Sequence, residues 1–138
     1  MKERAPTDNQ GISVLLIDDE PDVLAMLELS VSGMGYEVVV AGSGEEGLER
    51  AKERHFDLAV ADLRMPGLDG IATTRALKEI DPDIDVVIAT AFVAPDVRDS
   101  CLASGAADFI SKPFTLDRLE SFLRELVARR RSRQVGPD

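Results

Sequence analysis

The run Leu58-Ala59-Val60-Ala61-Asp62-Leu63-Arg64-Met65-Pro66-Gly67 decides the fold. An apolar stretch ends at an acid, and a Pro-Gly pair follows closely. An apolar run that short, closed by turn residues, reads as a buried strand stopping at a loop. A carboxylate at the end of a buried strand is expensive unless something nearby uses its charge. Two other places supply reasons. Val14-Leu15-Leu16-Ile17 ends in Asp18-Asp19-Glu20, and Phe109-Ile110-Ser111 ends in Lys112-Pro113.

Working outward, strands and helices alternate. Val14 to Ile17 is continuously apolar, which suits a strand covered on both faces. Pro21 opens a helix with Leu24, Leu27, Val31 and Met34 at helical spacing, and Gly33 and Gly35 end it. Val38 to Val40 is the second strand. Ser43 and Glu46 form a capping-box pattern before a helix that runs to about Arg54. After the Asp62 strand, Asp69 caps a helix carrying Ile71, Leu77 and Ile80, which Asp81-Pro82-Asp83 breaks. Val86 to Ala89 is the fourth strand and ends at Thr90. A helix from Pro95 carries Val97 and Leu102 and stops at Ser104-Gly105. Ala107 to Ile110 is the fifth strand. Thr115 caps a last helix striped with Leu116, Leu119, Leu123 and Leu126. This rhythm predicts an α/β fold, a (βα)5 open parallel sheet with helices on both faces. Right-handed crossovers leave few layouts, of which strand order 2-1-3-4-5 is one common solution.

The 138 residues suffice for one domain and not two ordinary ones. Expected boundaries are a flexible lead-in over 1–11, the domain over 12–128, and a basic, flexible tail over 129–138. A net charge of -10 argues against a nucleic-acid binder driven by general basicity. One cysteine excludes an internal disulfide. The polar N-terminus does not read as a signal peptide, and no apolar run approaches a bilayer span. The expected location is cytoplasmic.

In this layout Asp18, Asp19, Asp62, Thr90 and Lys112 share the edge beyond the strands' carboxyl ends. Three converging carboxylates raise one another's pKa unless a cation intervenes. Mg²⁺ takes oxygen ligands, typically carboxylates with phosphate oxygens. A lysine and a hydroxyl nearby complete a plausible phosphoryl-transfer site, in which a carboxylate can act as nucleophile.

The Leu16-Ile17-Asp18-Asp19-Glu20 acid pair, the Asp62 to Gly70 block, Thr90-Ala91 and Lys112-Pro113-Phe114 together resemble the receiver domain of bacterial two-component response regulators. The resemblance covers roughly residues 12–128. It implies a flavodoxin-like three-layer sandwich with strand order 2-1-3-4-5. It makes Asp62 the acceptor of a phosphoryl group from a sensor histidine kinase or histidine phosphotransfer protein. Asp18, Asp19, Asp62 and the backbone carbonyl of Arg64 would hold Mg²⁺. Thr90 and Lys112 would contact phosphoryl oxygens, helped by the N–H groups of Leu63 and Ala91. Phe109 would be the switch aromatic, turning inward as Thr90 moves, and Lys112-Pro113 would be cis. The fourth helix, fifth strand and fifth helix would face an effector protein or output domain, or a second copy in a phosphorylation-linked dimer. Arg64 and Phe92 stand where the family tunes phosphoryl lifetime. The implied protein is a switch that acts on itself, not an enzyme with a separate substrate.

Plainer readings stand beside these. Asp18 and Asp19 could cap the first helix. Asp62 could be a turn residue, Thr90 an ordinary strand end, Lys112 a solvated lysine and Phe109 a core residue. His55 reads as solvated, Cys101 as a small core residue, and the Arg129 to Arg133 cluster as a solvated helix end that suits the helix dipole. Competing functions are a flavodoxin-like cofactor binder, a phosphatase with an aspartyl nucleophile after the first strand, and a receiver-like interaction module that is never phosphorylated. The first wants a Ser/Thr/Gly-rich loop where this chain has Asp18-Asp19-Glu20-Pro21; the second commonly shows Asp-x-Asp there.

Overall fold

The computed structural model describes residues 11–91 and 94–135, with side chains through Arg133. The rest of the expected lead-in, Phe92 and the Gly-Pro-Asp end lie outside the described residues. The elements run β1 (Ser13–Ile17), α1 (Pro21–Gly33), β2 (Glu37–Ala41), α2 (Gly44–Glu53) and β3 (Leu58–Asp62). They continue as α3 (Gly70–Ile80), β4 (Asp85–Thr90), α4 (Pro95–Ala103), β5 (Asp108–Ser111) and α5 (Leu116–Val135). All strand pairs are parallel, in the order β2-β1-β3-β4-β5. The (βα)5 sandwich and its strand order match the sequence reading.

Unbroken apolar runs become central strands because both sheet faces are covered. Along β1, Val14 and Leu16 join a core with Leu27 and Val31 of α1 and Leu119 and Leu123 of α5. Leu15 and Ile17 point the other way, into a core with Leu77 of α3 and with Leu48 and Ala51 of α2 packed against it. Burying each such side chain stabilises the fold by about 1.5–3 kcal/mol, and the alternation locks strand register.

The helix starts follow local chemistry. Ser43 Oγ accepts the Glu46 N–H at 3.0 Å, Asp69 Oδ1 the Ala72 N–H at 2.8 Å, and Thr115 Oγ1 the Arg118 N–H at 3.1 Å. Glu46 departs from the expected capping box: its Oε1 accepts from the Gly42 N–H at 2.7 Å. Leu102 and Leu116, expected on inner stripes, are exposed. Cys101 takes the inner place on α4, fully buried, as a core residue should.

The carboxyl end of α5 corrects the sequence reading. The helix passes residue 128 and reaches Val135. Arg130, expected to be solvated, is 3% exposed. It follows Leu119, Leu123 and Leu126 at helical spacing, so it points inward as they do. Its Nη1 donates to Asp85 Oδ2 at 3.1 Å, and its Nη2 to Asp57 Oδ1 at 3.3 Å. Arg133 Nη2 reaches both carboxylate oxygens of Asp85, at 2.8 and 3.1 Å. These contacts hold the helix end to the sheet's amino-terminal edge, where Asp57 and Asp85 stand at adjacent strand starts.

Candidate functional site

Parallel pairing brings the strands' carboxyl ends to one edge. Ile17 pairs with Ala61, Asp62 with Ala89, and Thr90 with Ser111. Asp18, Asp62, Thr90 and Lys112 therefore meet there, although long stretches of chain separate them. Lys112 Nζ lies 3.1 Å from Asp62 Oδ1 and 3.3 Å from Asp18 Oδ2. One carboxylate oxygen from each of Asp18, Asp19 and Asp62 lies within 4.8 Å of the others. The Lys112-Pro113 bond is cis.

The helix-cap reading of the acid pair does not hold. The N-cap of α1 is Glu20, with no side-chain cap, and Pro21 takes the first turn. Asp18 instead bonds the Glu20 N–H at 3.0 Å through Oδ1 and turns Oδ2 to Lys112. Its carboxylate is buried, so the lysine offsets a real desolvation cost.

The charges do not balance. Burial lifts the Asp62 carboxyl above its ordinary range; Lys112 pulls it back, and the charges of Asp18 and Asp19 lift it further. Burial alone would lower the Lys112 pKa, but Asp62 and Asp18 hold the ammonium charged beyond its ordinary range. Both shifts run upward: burial outweighs the lysine at Asp62, while two carboxylates outweigh burial at Lys112. The remaining negative charge, presented by hard oxygen donors, fits a divalent cation such as Mg²⁺.

Local backbone holds Asp62 in place. The Leu63 N–H donates to the Ala89 carbonyl at 3.0 Å, and the Gly70 N–H to the Leu63 carbonyl at 2.8 Å. The first of these differs from the expected phosphoryl contact: the Leu63 N–H is taken up by the strand ladder. Gly70 must lack a side chain, since a Cβ there would lie 2.6 Å from the Asp62 carbonyl oxygen. Thr90 is buried at the end of β4, and its carbonyl accepts the Lys112 N–H at 2.8 Å. Arg64 follows in the exposed loop. A cleft of about 590 Å³ opens between that loop and α4, lined by Leu63, Arg64, Ile71 and Val97 among others. None of Asp18, Asp62 and Lys112 lines it, so the polar edge rather than this cleft is the candidate site.

Phe109 stands opposite Ile88 and is half-buried against Leu63, Ile88, Cys101 and Ala106. The guanidinium carbon of Arg98 lies 5.3 Å from the centre of its ring. Sequence reasoning missed this contact, because nothing local links α4 to β5. It also missed the Arg130 network, for which a signal existed: acids precede two buried strands, and an arginine continues an apolar stripe. His55 is half-exposed, yet its Nδ1 lies 2.8 Å from Asp81 Oδ2 and its Nε2 3.3 Å from Asp57 Oδ1.

A parallel five-stranded sheet with this acid and lysine edge defines a class, and comparison with known proteins agrees. The chain belongs to the response regulator receiver domain family, matched over residues 14–124. Receiver domains are the phosphorylation-responsive switches of two-component signalling. PrrA of Mycobacterium tuberculosis, a transcriptional regulatory protein, is 40% identical over 119 residues, which make up 86% of this chain and 51% of that protein. ZraR of Escherichia coli O157:H7, another transcriptional regulatory protein, is 37% identical over 120 residues, 87% of this chain and 27% of that protein. The chain thus spans about half of the one relative and about a quarter of the other. A chain of the CheX–CheY–BeF3–Mg²⁺ complex from Borrelia burgdorferi superposes with a TM-score of 0.80 at 25% identity, covering 85% of this chain and 90% of that one. Among the described residues no helix is long and apolar enough to cross a membrane.

Proposed function

We propose that Asp62 accepts a phosphoryl group from a phosphohistidine on a sensor histidine kinase or phosphotransfer protein. The added charge then resets the α4–β5–α5 face, which controls a partner protein or output domain. The observation that carries this reading is Lys112, shared between Asp62 and Asp18 in a three-carboxylate cluster at the sheet edge. In the transfer, an Asp62 carboxylate oxygen bonds to phosphorus as the P–N bond of the phosphohistidine breaks. The imidazole leaves with the bonding pair and takes up a proton. The Lys112 ammonium neutralises phosphoryl oxygens, and the Thr90 hydroxyl donates a hydrogen bond to one of them.

Asp18, Asp19, Asp62 and the Arg64 carbonyl would hold Mg²⁺, which when bound offsets charge on the phosphoryl oxygens. The all-oxygen donor set and its unbalanced charge support this, as does the BeF3–Mg²⁺ complex named for the Borrelia relative. The protein catalyses its own phosphorylation and dephosphorylation and turns over no other substrate. In this reading it works in the cytoplasm, and its single cysteine asks for no oxidising compartment.

Intact mass after incubation with acetyl phosphate, with and without Mg²⁺, tests the reading. One Mg²⁺-dependent phosphoryl adduct, absent from Asp62→Ala, is expected. An adduct that survives in Asp62→Ala would move the nucleophile to Asp18 or Asp19. No adduct under any condition would leave a phosphorylation-independent module.

A further inference from the structure

We infer that Arg98 is a positioning residue for Phe109, holding the ring in its resting place and so setting how readily the switch responds. This rests on the reading of Phe109 and Thr90 as the switch pair. The argument starts from position. Phe109 faces α4 and shares a small cluster with Leu63, Ile88 and Cys101, and partly buried Val97 packs against the same cluster. Arg98 is exposed on α4, next to Val97 in sequence, and lays its guanidinium over the outer face of the ring at 5.3 Å. A ring that moves toward Thr90 at the end of β4 gives up that contact. The guanidinium therefore stabilises the position the ring holds here.

An exposed cation–π contact shifts a two-state equilibrium by roughly twofold to fivefold. That is too small to hold the fold together and large enough to tune a switch. Its reach is also one-sided: among the described residues no hydrogen bond or ion pair joins Arg98 to the acid cluster, so it acts on the readout of phosphorylation and not on the chemistry at Asp62.

The test uses the whole chain with 4-fluorophenylalanine at position 109, read by fluorine NMR with and without Mg²⁺ and beryllofluoride. Arg98→Ala is expected to raise the population of the moved ring in the unactivated protein by roughly twofold to fivefold, and Arg98→Lys by less. The thermal midpoint should stay close to wild type, since the side chain is exposed. A ring that answers beryllofluoride equally in wild type and Arg98→Ala, with equal resting populations, would overturn the role of Arg98 and leave the switch reading intact. A ring that responds in neither protein would overturn the switch reading, and this inference with it.

Discussion

Arg130 on the last turns of α5 donates to Asp85 at the start of β4, across 45 residues of sequence and 3.1 Å of space. The contact lies at the end of the sheet away from Asp62. It is the amino-edge counterpart of the Lys112–Asp62 pair, a cation from late in the chain holding acids from two strands. Both pairs sit in reduced dielectric, where removing one partner strands the other.

Arg130→Ala should therefore cost about 3–5 kcal/mol, the usual penalty for breaking a buried pair. Asp57 and Asp85 would lose their shared partner, with only Arg133 still on Asp85. Urea unfolding followed by circular dichroism measures it. Truncation after residue 128 should cost at least as much, since Arg133 goes too.

Asp57 predicts a specific acid response. Burial alone would raise its carboxyl, but bonds from the Ser13 N–H and His55 and the charge of Arg130 hold it below the ordinary 3.8. A folded pKa below the unfolded one means the stabilisation is present above about pH 4 and is lost as pH falls through the folded value. Wild-type stability should decline more steeply below about pH 4 than that of Asp57→Asn, compared by urea midpoints across the acid range.

Metal binding should raise stability, because the three-acid cluster contains a single lysine, paired with only two of its members. At a Mg²⁺ concentration a hundredfold above its Kd, the gain is about 2.7 kcal/mol. Chelator should lower the thermal midpoint of wild type. In Lys112→Ala the carboxylates face each other without a cation, so added Mg²⁺ should restore more of the lost stability than it adds to wild type. An equal Mg²⁺ response in Asp18→Asn/Asp19→Asn and wild type would place the metal elsewhere.

Gly70→Ala tests how closely α3 supports the acceptor. The new Cβ would lie 2.6 Å from the Asp62 carbonyl oxygen and 2.8 Å from the Leu63 Cα, both backbone atoms that cannot swing away. A loss of about 1–3 kcal/mol is expected, as for other overpacked sites. Slower phosphoryl uptake at Asp62, measured by intact mass over time, should accompany it.

Much of this molecule could be read from the chain alone. Apolar runs such as Val14 to Ile17 and Leu58 to Ala61 reveal strands buried on both faces, because runs this short, closed by acids and turn residues, suit a strand better than a buried helix. Ser43, Asp69 and Thr115 mark helix starts because a cap acts within three residues of itself. Asp18, Asp62 and Lys112 stood out because each is charged at the end of a buried strand. The limits of that reading follow from distance. Whether an arginine is solvated depends on what lies opposite, and Arg130 meets acids far back in the sequence. The same holds for Arg98 over Phe109 and for the Leu63 N–H, which the ladder claims through Ala89. Local periodicity and capping are short-range effects that sequence carries directly; the pairing of buried charges is decided only when strand register and helix packing bring the partners within a few ångströms.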